Sequence, residues 1–356
     1  MTSLHVSSHH PLLAHDTLSS SLISAYRGMK PARKPVWFMR QAGRSLPEYR
    51  KVREGIPMLD SCLMPELAAE ITLQPVRRHD VDAAIFFSDI VIPLKLAGID
   101  VDIVPGVGPV LGSPIQSASD IAKLPDISAV DFSPITDAIK IITAELASTP
   151  LIGFAGAPFT VAAYMVEGKP SRDHLGPRTM MYADPKSWEK LSTWVAQLSG
   201  AFLAAQVEAG ASAVQLFDSW AGSLGLEDYQ KFVATSSTIA FDAIAKYGVP
   251  KVHFGTGTSE LLVAMKDCGA DVMGVDYRLS LTEANKRLGG TVPLQGNIDP
   301  ALLAAGQDAL FARTKDIIDQ GRSAPGHVVN LGHGVPPTTE SEVLTDLVSF
   351  IHEQKV

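Results

Sequence analysis

A short apolar run rich in β-branched and aromatic side chains returns eight times along this chain, and a helical stretch follows almost every return. The runs cover 36–39, 83–87, 151–154, 213–217, 251–254, 271–275, 291–294 and 327–331. Their interiors are almost continuously apolar rather than alternating, as strands covered on both faces must be. Between them the pattern predicts helices over 65–78, 131–146, 184–208, 226–245, 259–267, 281–288, 300–320 and 340–353. Gly210, Gly248, Gly269, Gly289 and Gly321 stand at or just beyond helix ends, where glycine closes a helix most easily.

Eight strands alternating with helices predict an α/β chain folded as a single closed (β/α)8 barrel of the TIM type. An open doubly wound sheet is the alternative. It would concentrate functional groups at one switch point, whereas here polar clusters follow most of the strands. The Gly/Pro-rich segment 98–128 interrupts the alternation and reads as an insertion after strand 2, a small hairpin. A chain of 356 residues suits one large barrel, since such barrels exceed ~250 residues as one unit. No shift in composition marks a second domain. The expected organisation is a disordered, Ser/His-rich tail over 1–15, with His5, His9 and His10 solvated, and one catalytic domain over 16–356.

Composition removes several classes of function. The formal net charge is −8, with 30 Lys+Arg against 38 Asp+Glu. No nucleic-acid partner is therefore expected, and any anionic ligand must meet a local basic patch. Two cysteines, Cys62 and Cys268, exclude a disulfide scaffold, a zinc ribbon and a ferredoxin. They fit a reduced, cytoplasmic setting. No apolar run reaches the ~18 residues of a membrane span, and the N-terminal stretch lacks the features of a signal peptide.

The basic patch is present. Arg40, Arg44, Arg50, Lys51 and Arg53 fall close together just after the first run, with Glu48 the one acid among them. Arginine suits carboxylates because its planar fork binds bidentately and stays charged. Arg40 and Arg44 are read as an anion-binding loop that turns at Gly43, in preference to a solvated basic face. After the second run comes Asp89 between apolar residues; a carboxylate there needs donors, either Arg40 and backbone amides or the N–H groups of a ligand. Tyr164 follows the third run. Ser219 follows the fourth within Phe217-Asp218-Ser219-Trp220, which lacks the Gly-x-Ser-x-Gly elbow, so Ser219 reads as a hydrogen-bonding group. Later run ends carry Gly255, Gly257, Asp276, Gln295, Asn297 and His333. No dinucleotide fingerprint or phosphate loop occurs. His253, Asp271, Asp276 and His333 are too scattered to suggest a metal.

The motifs PVWFMRQAGRSLPEYR, LQPVRRHDVDAAIFFSDI, GFAGAPFTVAAYMVEG, QLFDSWAG, VPLQGNIDP and NLGHGVPPTT, in this order and spacing, resemble the uroporphyrinogen decarboxylase family over residues 16–353. One departure is Ser45, where that family usually has an aromatic residue. The resemblance implies a distorted (β/α)8 barrel of haem and porphyrin biosynthesis, a lyase that removes carbon dioxide from the four acetates of uroporphyrinogen III. It implies no metal, no organic cofactor and a homodimer. Carried over by motif, the site residues are Arg40, Arg44, Arg53, Asp89, Tyr164, Ser219 and His333, with Asp89, Arg40 and Tyr164 catalytic.

The chemistry suits those residues. Eight substrate carboxylates account for an arginine cluster in an acidic chain, and four pyrrole N–H groups give one desolvated carboxylate its donors. A protonated pyrrole is itself an electron sink, stabilised by an anion beside it. The proton donor stays open between Arg40, water and the substrate. Two rivals are a related barrel methyltransferase with a zinc site, for which the thiolates are missing where expected, and a non-catalytic tetrapyrrole-binding protein, which could dispense with Asp89.

Overall fold

Seven of the eight apolar runs pair side by side in a computed structural model that describes residues 4–356. In chain order the strands are β1 (Ala84–Ile85), β2 (Val101–Val104), β3 (Gly108–Leu111), β4 (Leu151–Gly156), β5 (Ala213–Asp218), β6 (Lys251–Gly255), β7 (Val272–Gly274), β8 (Leu294–Gln295) and β9 (His327–Val328). The main sheet runs β1-β4-β5-β6-β7-β8-β9, and every pair in it is parallel. Each of these strands therefore ends on the same rim. β4 is buried along its whole length, as the unbroken apolar pattern requires.

The first run does not form a strand. Val36 makes only an isolated bridge to Val329, although residues 36–39 are all buried. The reason lies in where their amides go. Phe38 N–H donates to the Gln41 Oε1 at 2.9 Å and Met39 N–H to the Asn330 Oδ1 at 3.0 Å, so side chains take the donors a ladder would need. Val36 still links both edges of the sheet. Val329 N–H donates to the Pro35 carbonyl at 2.9 Å, and Asp82 N–H donates to the Val36 carbonyl at 2.8 Å.

β2 and β3 form the hairpin expected within 98–128, paired antiparallel from Val101↔Leu111 to Val104↔Gly108. Leu111 N–H donates to the Gly168 carbonyl at 2.8 Å, docking the hairpin against the end of helix Pro158–Glu167.

Two expected helices are each broken. The stretch 226–245 divides into Leu226–Phe232 and Ala234–Ala245, with Val233 at φ −126° between them. The stretch 300–320 divides into a 3₁₀ turn, Pro300–Ala304, and Gln307–Gly321, separated at Gly306 with φ +90°. Helix 259–267 forms only over Leu262–Asp267. One part of the expected solvated tail needs correcting: His10, Pro11 and Leu12 are buried, while Leu13 to Asp16 are exposed. His10 caps helix Pro11–Ala14, is 3% exposed, and donates from Nε2 to the Val207 carbonyl at 3.0 Å. The ring acts as a core hydrogen-bonding group. Residues 1–3 of that tail lie outside the described residues.

One chain of buried polar groups inside the sheet is paired from end to end, as such groups generally are. Trp37 Nε1 donates to the Tyr26 hydroxyl at 3.2 Å, Tyr26 donates to Gln295, and Gln295 Nε2 donates to the Gln215 Oε1 at 3.0 Å. Among the described residues no helix is long and apolar enough to cross a membrane.

Candidate active site

The polar clusters that follow the strands of the main sheet lie on one rim, because those strands are all parallel; the Arg40 loop follows residues 36–39, which bridge both edges of that sheet. Asp89 follows β1. Val91 N–H donates to its Oδ1 at 3.0 Å. Asp89 keeps some exposed surface at the rim, yet desolvation raises its pKa above the ordinary carboxylate value. The amides of Val91 and Ile90 and the charge of Arg40 offset this only in part.

Arg40 stands at φ +63°, a left-handed conformation that a side chain adopts only at a cost. The loop turns at Gly43 as expected: the chain bends there, and Leu46 N–H donates to the Gly43 carbonyl at 3.0 Å. The turn needs no positive φ at Gly43; a Cβ on it would lie 3.2 Å from the Arg40 carbonyl oxygen, so glycine serves close approach. The Arg40 side chain runs over Gly334, whose missing Cβ would fall 2.4 Å from the Arg40 Cδ.

His333, beside that glycine, accepts the Gly334 N–H on Nδ1 at 2.7 Å. A neutral ring must then carry its proton on Nε2. Burial, Arg40 and Arg278 lower the His333 pKa, and Asp276 opposes them, so the neutral ring is the form present at physiological pH.

Tyr164 lies on helix Pro158–Glu167. Its pKa is pushed up to about 12, by burial and then by the Asp89 charge, with Arg40 opposing; its hydroxyl is therefore a donor at neutral pH. Trp220 lies against it, ring centroids 3.8 Å apart, and His174 stacks on Trp220 at 4.2 Å. Trp220 N–H in turn donates to the Thr160 Oγ1 at 3.2 Å, and Thr160 donates to the fully buried Asp218 at 2.9 Å. Ser219, next in the chain, accepts on its carbonyl from the Thr256 hydroxyl at 2.7 Å.

These links close into a circuit around the mouth. Arg40 touches Gly334. Gly332 abuts Tyr277, which would lie 2.7 Å by its Cβ from any Cβ placed there. Asp276 accepts Gly257 N–H at 2.5 Å. Thr256 holds Ser219, Trp220 stacks on Tyr164, and Tyr164, Asp89 and Arg40 share one electrostatic field. The structure thus brings together Arg40, Asp89, Tyr164, Ser219 and His333. Arg44 and Arg53 stand one step outside, around Tyr49, whose pKa burial raises and whose rise the two guanidinium charges only partly offset. Tyr49 packs edge-on against Phe87 at 5.8 Å, two residues before Asp89. The Arg53 guanidinium sits 5.5 Å from the Tyr49 ring, and its Nη1 donates to Ser61 at 3.2 Å. Glu48, the acid within the basic run, is taken by Arg78 at 2.7 and 2.9 Å. The cluster's positive charge is therefore not cancelled from within.

The uroporphyrinogen decarboxylase (URO-D) family pattern matches residues 17–354. The chain belongs to the uroporphyrinogen decarboxylase family. It is 70% identical over 336 residues to the uroporphyrinogen decarboxylase of Arthrobacter sp. (strain FB24), covering 94% of this chain and 97% of that one. It is 57% identical to that of Streptomyces avermitilis, covering 95% of each. Among solved structures, a methyltransferase from Methanosarcina mazei superposes with a TM-score of 0.76 at 20% identity, over 94% of this chain and 98% of that chain; this likeness is one of fold. As a member of the uroporphyrinogen decarboxylase family, the chain is an enzyme, and its family chemistry is decarboxylation.

Several residues of this decarboxylase rim escape a reading of the sequence. Trp220 and Thr160 lie inside quoted motifs, but nothing in their spacing says that a tryptophan will stack on Tyr164 or that a threonine will hold it. Arg278 has no motif at all. His253 is wholly buried, bonded through Nδ1 to Met265 and 3.6 Å from Asp218. Among the described residues no three His, Cys, Asp or Glu side chains gather as a metal site would require.

Gly334 offers a clean test of the packing. Gly334→Ala places a methyl in the path of the Arg40 side chain, not of the backbone. The expected result is an unchanged Tm with kcat/KM for the family's decarboxylation lowered about 10- to 100-fold, as for a displaced catalytic group. Unaltered kinetics would show that Arg40 needs no fixed position.

Proposed function

We propose that this chain is the lyase that converts uroporphyrinogen III to coproporphyrinogen III in haem and porphyrin biosynthesis, taking carbon dioxide from each of four acetates. The observation that carries the proposal is one desolvated acid, Asp89, which feels the charge of Arg40 and has the neutral donors Tyr164 and His333 on the same rim. A carboxylate with too few protein donors is matched to a ligand that brings its own, and a reduced tetrapyrrole brings four converging N–H groups.

The steps balance as follows. A proton adds to the ring carbon beside the acetate-bearing carbon and turns the pyrrole into an iminium-like cation. The bond to the carboxylate breaks, carbon dioxide leaves, and the electron pair neutralises the ring. A second proton reaches the exocyclic carbon, giving a methyl group, and the first is lost from the ring carbon. Net, one acetate and one proton become one methyl group and one carbon dioxide. Asp89 stabilises the cation by preorganised charge. Tyr164 and Ser219 donate hydrogen bonds, and His333 donates from Nε2. Arg40, Arg44 and Arg53 grip substrate carboxylates. A guanidinium releases its proton reluctantly, so Arg40 orients the departing carboxylate while water supplies the ring proton. The pyrrole provides the electron sink, so these steps call for no organic cofactor and no metal.

In this reading residues 35–37 close the sheet into a distorted eight-membered barrel, since Val36 bonds to both edges, and 16–356 is one catalytic domain. The chain works as a homodimer in the cytoplasm. Leu175, Tyr182 and Leu226 are exposed apolar side chains available to a second copy, and the two free, buried cysteines suit a reducing compartment.

Anaerobic incubation with freshly reduced uroporphyrinogen III, followed by separation of products by carboxyl number, tests the activity. Successive seven-, six-, five- and four-carboxyl species are expected. Recovery of the eight-carboxyl compound alone would refute the assignment.

A further inference from the structure

We infer that Arg278 is a further substrate-binding residue, which takes a peripheral carboxylate of the macrocycle on the side of the mouth opposite Arg44 and Arg53. The inference rests on the tetrapyrrole reading given above and deepens it.

Arg278 is built into the rim rather than left to wave in solvent. It follows β7 by a short turn in which Asp276, 3% exposed, collects three donors. Its Oδ1 accepts Arg278 N–H at 3.0 Å; its Oδ2 accepts Gly257 N–H at 2.5 Å and Arg278 Nη1 at 2.6 Å. Asn297 Nδ2 pins the same turn by donating to the Asp276 carbonyl at 2.8 Å and the Leu279 carbonyl at 2.6 Å. The guanidinium also lies 4.4 Å from the Tyr277 ring, and Tyr277 is wedged against Gly332. One edge of the arginine is thus fixed before any ligand arrives.

The other edge is unused. Nε and Nη2 of Arg278 have no protein acceptor among the described residues, and the side chain is 49% exposed. A guanidinium held at one nitrogen, with its remaining fork facing water, is the arrangement that binds a carboxylate with little ordering cost. Its neighbour is His333, which feels the Arg278 charge together with that of Arg40. Arg40 packs on Gly334, and Tyr277, next to Arg278, packs on Gly332; these two glycines flank His333. Arg44 and Arg53 lie beyond Asp89, around Tyr49. A substrate with carboxylates all round its edge needs cations on more than one side, and Arg278 supplies one beyond His333.

A role at the periphery affects binding of the ground and transition states alike, so it appears in KM rather than kcat. In steady-state assays with uroporphyrinogen III, Arg278→Ala is expected to raise KM about 10-fold and leave kcat within about twofold. Arg278→Lys keeps the charge without the fork and should recover part of the loss. The dependence of KM on salt should flatten in Arg278→Ala, because one screened attraction has gone. Equilibrium binding of coproporphyrinogen III under anaerobic conditions gives a second readout that is independent of turnover. If Arg278 served only as a counter-ion for Asp276, Arg278→Ala would lower Tm while leaving KM, its salt dependence and product affinity at wild-type values; that result overturns the inference. Failure of the wild-type enzyme to turn over uroporphyrinogen would instead contradict the tetrapyrrole reading itself, so the two failures are distinguishable.

Discussion

Asp89→Asn loses about 10²- to 10³-fold in kcat, the scale expected when one preorganised electrostatic partner of a transition state is removed, and it does so without loss of fold. The stability side follows from linkage. Asp89 has a raised pKa in the folded chain. Such a group favours the fold while protonated and costs stability once the pH rises through its folded pKa, where a desolvated site must carry the charge. Asparagine is neutral throughout, so at pH 7 the variant's Tm is expected to match or exceed that of the wild type. Lower activity with equal or greater stability marks a residue kept for chemistry. In the wild type the anionic form is the working one, so the acid limb of the kcat/KM profile should lie above the ordinary carboxylate range. Near-normal turnover by Asp89→Asn would remove the electrostatic role assigned to it.

Arg40→Lys is expected to lower kcat/KM about 10²-fold, because an ammonium cannot reproduce a two-pronged contact with a carboxylate. Arg40 offers an unusual control. Its φ of +63° strains any residue except glycine. Arg40→Gly should therefore unfold at a higher temperature than the wild type, the relief of strain exceeding the wider freedom of the unfolded glycine chain, and should have almost no activity. Arg40→Lys keeps the strain and should match the wild-type Tm. Paired thermal unfolding and steady-state kinetics on the two variants separate the cost of the backbone from the value of the guanidinium. Wild-type kcat/KM in Arg40→Lys would contradict the clamp.

The sequence carries the strands well because the parallel sheet is buried on both faces: β4, β5 and β6 lie within a residue or two of where apolar runs place them. It misplaces 36–39 because burial and strand pairing are different properties. Those side chains are apolar and hidden, but Gln41 and Asn330 intercept the amides. It joins 226–245 into one helix because the break at Val233 uses neither glycine nor proline. It reads His10 as solvated because a histidine that caps a helix and bonds to Val207, 197 residues away, leaves no local trace.

The same distinction holds at the site. The shared placement of Arg40, Asp89, Tyr164, Ser219 and His333 is legible because each sits in a distinctive motif just past an apolar run. What the sequence does not carry is their support. Gly334 beneath Arg40 and Trp220 against Tyr164 are contacts between chain segments far apart in number, and they form only with the tertiary fold; Asp276 lies two residues from the Arg278 it holds, but no motif marks that pair.

The central claim is that Asp89 receives the inner pyrrole nitrogens while guanidinium groups hold the periphery. A crystal structure of the enzyme with coproporphyrinogen III, grown and frozen without oxygen, tests it directly. The account predicts the Asp89 carboxylate within hydrogen-bonding distance (~2.7–3.2 Å) of the pyrrole nitrogens, with arginine side chains on the propionates. A macrocycle bound away from the strand-end rim, or an Asp89 side chain turned from its centre, would contradict it.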